Sequence, residues 1–245
     1  MSAIALDRIS QAKRPDLSPS GWQRWSELLF VHWTLPIETV RPLVPAEIEL
    51  DAWDGQMYVG LVPFRMFGIR PWWLPRIMAL DFLELNLRTY VHYRGRPAVW
   101  FFSLEASSWL AVEAARTGWS LPYHYAEMSV SRTGDDVAYA SRRIGSDARF
   151  EARYTIGAPL APSELGTLQH FLLERYLLLS QRGGRIWEGQ VHHTPYPAHA
   201  ASLTKIDQSM LAAAGLGAIA APPAAVHFSP GVDVEVFGPW PADRK

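Results

Sequence analysis

The chain has 245 residues, of which 49% are apolar and 19% charged, with a formal net charge of −1. That composition sustains a folded core and lacks the basic field that would hold nucleic acid or an anionic membrane. Cysteine is absent and lysine occurs only at Lys13, Lys205 and Lys245. Disulfides, thiolate nucleophiles and cysteine zinc sites are thereby excluded, and any lysine chemistry falls on three positions.

Residues 1–20 are polar and proline-punctuated, and read as a loose leader to a single domain over 21–245. Charged residues interrupt the leader's apolar part, so it is not a secretory signal. No run of about 18 apolar residues offers a transmembrane helix; a cytoplasmic location is expected. Residues 25–35 are rich in β-formers and predict the first strand, followed by a short proline-bounded helix at 36–44. Asp54-Gly55-Gln56 turns one strand into the next, and Pro63 argues for an edge or a bulge in the second. The loop 70–77 carries Trp72 and Trp73, an apolar pair suited to cover by a symmetric partner, hence a homo-oligomer. Strands are expected at 79–93 and 97–104, joined by Arg94-Gly95-Arg96. A helix is expected at 105–118, then a three-stranded meander at 121–131, 135–143 and 147–156. Apolar spacing predicts a long helix over 163–184, stopped by Gly183-Gly184. A strand at 185–197, a short helix at 201–215 and a strand pair at 224–238 complete the chain. Many strands without βαβ alternation predict an α+β fold, a mainly antiparallel barrel or sheet with helices outside.

The strand over 82–91 alternates. Leu83, Leu85, Leu87 and Val91 point one way; Glu84, Asn86, Arg88 and Tyr90 point the other. Two readings fit: a sheet with one wet face, or a barrel whose interior the polar row lines. The neighbouring VWFFSL is apolar on both faces as far as Ser103, which favours the second. Glu84 and Arg88 stand roughly 13 Å apart along the strand, so neither satisfies the other and each needs a partner from elsewhere. A bound carboxylate is one such partner for Arg88. Trp100, Ser103, Trp109, Arg116, Tyr123 and His124 are added to the candidate site from the adjoining elements. Arg116 also suits a helix C-terminus, and Tyr123 suits ordinary packing.

His192, His193 and His199 form the one histidine cluster, but adjacent histidines on a strand face opposite ways. Without HExxH, HxH or cysteine, no metal is expected. No GxSxG elbow, GxGxxG or phosphate loop occurs, so no cofactor is expected either.

The segments LLFVHWTLP (28–36), LVPFRMFG (61–68), FLELNLRTYV (82–91), VWFFSLEA (99–106), AARTGWSLPYHYA (114–126) and FLLERYLL (171–178) together resemble the YqjF-like family. The resemblance implies the acetoacetate decarboxylase-like fold, a closed, mostly antiparallel barrel with a central cavity. In the decarboxylase a Gly-Arg-Glu segment precedes a Pro-Lys whose lysine forms a Schiff base with a β-keto acid. The similar segment here is Ala115-Arg116-Thr117, then Pro122-Tyr123. Tyr123 stands in the lysine's place and Thr117 in the glutamate's, while Arg116 and Pro122 are kept and Glu84 corresponds to a pocket carboxylate. Schiff-base decarboxylation is therefore not expected.

The leading expectation is a cavity that binds a small organic acid or carbonyl compound. Arg88 and Arg116 would hold a carboxylate, with Asn86, Tyr90, Trp100, Ser103 and Trp109 lining the site. Glu84, Tyr123 and His124 would serve as acid–base and hydrogen-bonding groups. The rivals are a non-catalytic sensor on the same frame and a scaffold acting through surface contacts.

Overall fold

The computed structural model describes residues 6–244. Twelve strands form a single sheet: β1 (Gly21–Leu35), β2 (Glu49–Leu50), β3 (Met57–Pro71), β4 (Leu80–Tyr93), β5 (Arg96–Ala106), β6 (Tyr123–Thr133), β7 (Asp136–Arg143), β8 (Arg149–Pro159), β9 (Leu177–Arg182), β10 (Arg185–His192), β11 (His199–Gln208) and β12 (Ala225–Pro241). Four short helices interrupt them: α1 (Ile37–Val40), α2 (Trp109–Trp119), α3 (Leu168–Leu173) and α4 (Met210–Ala213). The sheet-dominated α+β class expected from the strand pattern is the one observed. No helix among the described residues is long and apolar enough to cross a membrane.

Local chemistry sets the frame. Arg94 and Gly95 both take positive φ, 52° and 76°. These values suit a two-residue hairpin whose twist matches its strands, so β4 folds straight back onto β5. The meander β6–β7–β8 pairs antiparallel throughout. Pro63 lies in the interior strand β3, opposite the register shift between Ser26↔Arg65 and Val31↔Leu61, where β1 bulges. A residue without an N–H is tolerated at such a point.

Two circuits of pairing share the strands β12, β1, β3, β4 and β5. One continues through β9 and β10 back to β12. The other continues through β6, β7, β8 and β11. Only the β5–β6 and β5–β9 pairings are parallel among these strands. The odd residues of β4, Leu85, Leu87 and Val91, enter the larger apolar core beside Tyr139, Phe150 and Tyr154. The even residues face the other circuit.

Three segments depart from the sequence reading. The expected helix at 163–184 holds only through α3; the chain leaves it at Glu174 (φ −90°, ψ 84°) and runs on as β9. Leu177 and Leu179 are buried, and β9 is paired on both sides. A short apolar run buried in this way looks the same as a helix by periodicity. Likewise 201–208 belongs to strand β11, with only Met210–Ala213 helical. The expected strand pair at 224–238 is one seventeen-residue strand, β12, which passes through Gly231 at a φ of 130°. Helix α3 is also not outside the sheet: Phe171 and Leu172 are buried against Tyr58, Tyr90 and Val99 and close one end of the β9–β10 circuit.

Of the expected leader, residues 1–5 lie outside the described residues. The rest is tied down: Arg8 pairs with the buried Asp51 and Arg14 with Glu235.

Candidate functional site

A cavity of about 540 Å3 opens inside the β9–β10 circuit. Its walls come from alternate residues of the surrounding strands, as a pleated sheet requires: Leu28 of β1, Val62, Phe64 and Met66 of β3, Val99 and Phe101 of β5, Leu178 of β9, Val191 of β10 and Val236 of β12. Leu110, Ala111, Ala114 and Ala115 of α2 form one side of the mouth, and Trp73 and Leu74 the other. Ser108 caps α2 by accepting from the Ala111 N–H at 3.3 Å, which fixes where that helix begins. Trp119 reaches the cavity across Gly189; a Cβ there would meet the indole at 2.4 Å.

Glu84, Asn86 and Arg88 project into this chamber from β4, buried to 3%, 6% and 8% exposure. The polar row therefore faces inward, and the wet-face reading falls. Glu84 accepts a hydrogen bond from the Tyr123 hydroxyl at 2.7 Å. Burial pushes the Glu84 carboxyl up to about 8; the Tyr123 bond works against this and the nearby Glu105 with it. The shift favours the protonated, uncharged form of Glu84, and Tyr123, raised well above its usual value by burial and by Glu84, keeps its proton.

The floor lies beyond Arg88. The Tyr90 hydroxyl donates to the Leu172 carbonyl at 2.8 Å and meets His32 Nε2 at 2.7 Å. Burial holds His32 well below the usual imidazole value, so it is neutral. Gly60 makes room for the ring, since a Cβ there would meet it at 2.8 Å. Leu172 is in the last turn of α3, whose carbonyls lack intrahelical partners, and Arg88 Nη2 donates to the same oxygen at 3.2 Å. The Arg88 guanidinium stands 5.5 Å from the Phe30 centroid. Its Nε and the Asn86 Oδ1 have no hydrogen-bond partner, and among the described residues no carboxylate pairs with Arg88.

The remaining candidates lie elsewhere. Tyr90 is fully buried beneath the floor and does not line the cavity. Trp100 shares the opposite face of β5 by simple alternation and joins the larger core. Ser103 is on that face because β5 bulges. Leu87 pairs with Ser103 but Arg88 with Phe101, so Phe102 is the extra residue and the inward parity passes to Leu104. Ser103 donates instead to Glu105 at 3.3 Å. Trp109 is 63% exposed, one position off the face that α2 turns to the mouth. Arg116 lies outside: its Nε donates to the Tyr123 carbonyl at 2.7 Å and its Nη1 to Glu113 at 3.2 Å. His124 is half-buried outside the chamber, paired in register with Glu105, and burial lowers it to about 4.

Sequence reasoning missed Arg175. It lines the floor, pairs with Asp51 at 2.8 Å, and stands 4.4 Å from the Phe171 centroid. Its Nη2 has no partner. Lys13 is exposed and Lys205 pairs with Glu151 at 2.9 Å on β11. Neither reaches the cavity, and Lys245 lies outside the described residues.

The fold matches that of an acetoacetate decarboxylase from Legionella pneumophila with a TM-score of 0.62 at 15% identity, covering 98% of this chain and 97% of that one. It matches the enduracididine biosynthesis enzyme MppR, in a complex with pyruvate, with a TM-score of 0.61 at 14% identity, covering 93% and 92%. At such identities the likeness concerns the fold. In sequence, the uncharacterized protein YqjF of Bacillus subtilis (strain 168) is 41% identical over 177 residues, 71% of this chain and 73% of the relative. Residues 22–233 match the DUF2071 family, described as an uncharacterized conserved protein, and the chain belongs to that family.

Proposed function

We propose that the β1–β3–β4–β5–β9–β10–β12 circuit is a closed barrel that binds a small organic acid, its carboxylate held by Arg88. The single observation that carries this reading is Arg88 itself, a guanidinium buried among apolar walls with a free Nε and no carboxylate partner. An unpaired buried cation is costly, and a bidentate carboxylate is its natural complement. Asn86, on the same face of β4, has an unpartnered amide oxygen, an acceptor for a ligand O–H or N–H rather than for the carboxylate. Further along β4, roughly 13 Å from Arg88, Glu84 and Tyr123 form a hydrogen-bonded pair that can donate to, or move a proton at, an oxygen only on a ligand long enough to carry one there. Two structural neighbours carry names that concern small carbonyl acids, acetoacetate and pyruvate, which supports this ligand class.

The placement of lysine argues against the decarboxylase's covalent route, because neither Lys13 nor Lys205 lines the chamber. Binding without turnover is the second reading, favoured by the absence of a lysine from the chamber among the described residues. Thermal-shift measurements with two- to six-carbon monocarboxylates and the matching amides test the proposal. Acids should stabilise the protein and amides should not, and Arg88→Met should erase the difference. Equal stabilisation by acids and amides would remove Arg88 from the site. Product analysis after incubation with the best-bound acid separates catalysis from binding.

A further inference from the structure

We infer that the cavity takes a linear, medium-chain carboxylic acid of about eight to twelve carbons, with its carboxylate on Arg88 and its tail laid along β4 toward a mouth between Trp73 and Leu110. This rests on the reading of Arg88 as the anchor and adds the length and class of the ligand.

The first argument is size. The chamber holds about 540 Å3, whereas about 15 Å3 of such space is enough for one water. A three-carbon acid would leave most of the volume to waters that find few polar partners on walls of Leu28, Val62, Phe64, Met66, Phe82 and Leu104. Cavities of this volume normally enclose a ligand of drug size.

The second is order along one strand. Leu80, Phe82, Glu84, Asn86 and Arg88 all line the cavity, and Tyr90 is buried beyond them. The chamber therefore runs lengthwise along β4, with the anchor at its closed end. From Arg88 back to Glu84 is roughly 13 Å at the strand rise. An extended chain advances about 3.5 Å per three bonds, so it needs about eleven bonds to cover that distance. The Arg88 head reaches further toward the floor, where it meets the Leu172 carbonyl. A three-carbon acid on Arg88 would not approach Glu84.

The third is the character of the path. Between anchor and mouth the polar side chains on β4 are Asn86 and Glu84, and burial favours the uncharged acid form of Glu84, whose carboxyl also holds the Tyr123 hydroxyl. An alkyl tail passes without meeting a charge. At the rim, Trp73 and Leu110 line the cavity while remaining 65% and 57% exposed, so the apolar shaft continues to the surface. The one rim cation is Arg70, which stacks on Trp22 with its guanidinium 4.8 Å from the ring.

Calorimetric titration with straight-chain carboxylates from acetate to hexadecanoate, kept below their micellar concentrations, tests the inference. Affinity should rise about fourfold for each methylene added between butyrate and decanoate, then level or fall. A flat series, or tightest binding at acetate to butyrate, overturns it; the carboxylate anchor survives that outcome if acids still bind better than amides. Decanamide binding as tightly as decanoate instead defeats the anchor, and this inference with it. Ala114→Trp and Ala115→Phe narrow the mouth from α2 at an exposed and a half-buried position, where the fold tolerates change. Each should weaken decanoate at least tenfold and move the optimum to a shorter acid. An optimum that stays put in both variants overturns the placement of the tail.

Discussion

Arg175 and Arg88 stand over the same aromatic ring, their guanidinium carbons 5.0 and 5.9 Å from the Tyr90 centroid. Both are buried, both line the cavity, and both donate to the last carbonyls of α3, Arg175 to Phe171 and Arg88 to Leu172. They differ in one respect. Arg175 pairs with Asp51, which also binds Arg8 through two contacts of 2.6 and 2.8 Å. Burial lowers Arg175 to about 10, and Asp51 and Tyr90 oppose that drop. Arg88 has a carbonyl and aromatic faces but no acid. A guanidinium that must stabilise the fold is given its counter-ion; one left without it is available to a ligand. Stability and binding should therefore separate between the two.

The largest effect should come from the paired residue. Arg175→Met strands Asp51, 3% exposed, with Arg8 as its remaining cation. Removing one partner of a buried pair costs about 3 kcal/mol, read as a lower urea midpoint with unchanged slope. Arg88→Met forfeits one long hydrogen bond and relieves an unpaired buried charge, so it should cost about 1 kcal/mol or less. If Arg88→Met proved the more damaging of the two, the contrast would be broken.

Two buried glutamates sharpen the same idea. Glu105 is held by Arg143, with Nε 3.0 Å away, and burial raises it to about 7; Glu84 faces the cavity with only Tyr123 and rises to about 8. The folded value of Glu84 lies above its ordinary 4.5, so between these values the folded chain keeps a proton that the unfolded chain releases. Stability then falls as pH rises through that window. His32, His124 and His193 act the other way, because burial lowers all three and stability grows with pH up to 6.5. Above 6.5 the glutamates dominate. From pH 6.5 to 8 Glu84 should remove about 2 kcal/mol from the unfolding free energy. Glu84→Gln should abolish that share of the slope. An identical pH slope in the variant would mean that Glu84 does not hold its proton.

Much of this arrangement was legible in β4, because strict alternation places Glu84, Asn86 and Arg88 on one face whatever surrounds them. Which way that face looks was not local information; it depends on how β9 and β10 pair between β5 and β12. The segment that supplies β9 was hidden by Leu177-Leu178-Leu179, whose spacing suits a helix as well as a strand buried on both faces. The same ambiguity concealed Arg175, which would have been a solvated residue on a helix but is buried at the junction of α3 and β9. Ser103 was misplaced by a single inserted residue, Phe102, and no sequence signal marks that bulge.

The smallest effect should come from Arg116, a candidate from the sequence that does not line the cavity. Its side chain is 46% exposed and ties α2 to the Tyr123 carbonyl. Arg116→Ala removes that bond and a weak i,i+3 pair with Glu113, together about 1 kcal/mol. Because the bond is to the Tyr123 backbone, while the hydroxyl reaches Glu84 from the other end of the residue, the cavity contact should survive. Decanoate affinity should change less than twofold in Arg116→Ala and collapse in Arg88→Met. A collapse in both would make Arg116 a positioning residue for Tyr123 and carry the site's boundary through the wall to α2. Adding Tyr123→Phe to each decides it, since an effect transmitted through the hydroxyl disappears when the hydroxyl is already gone.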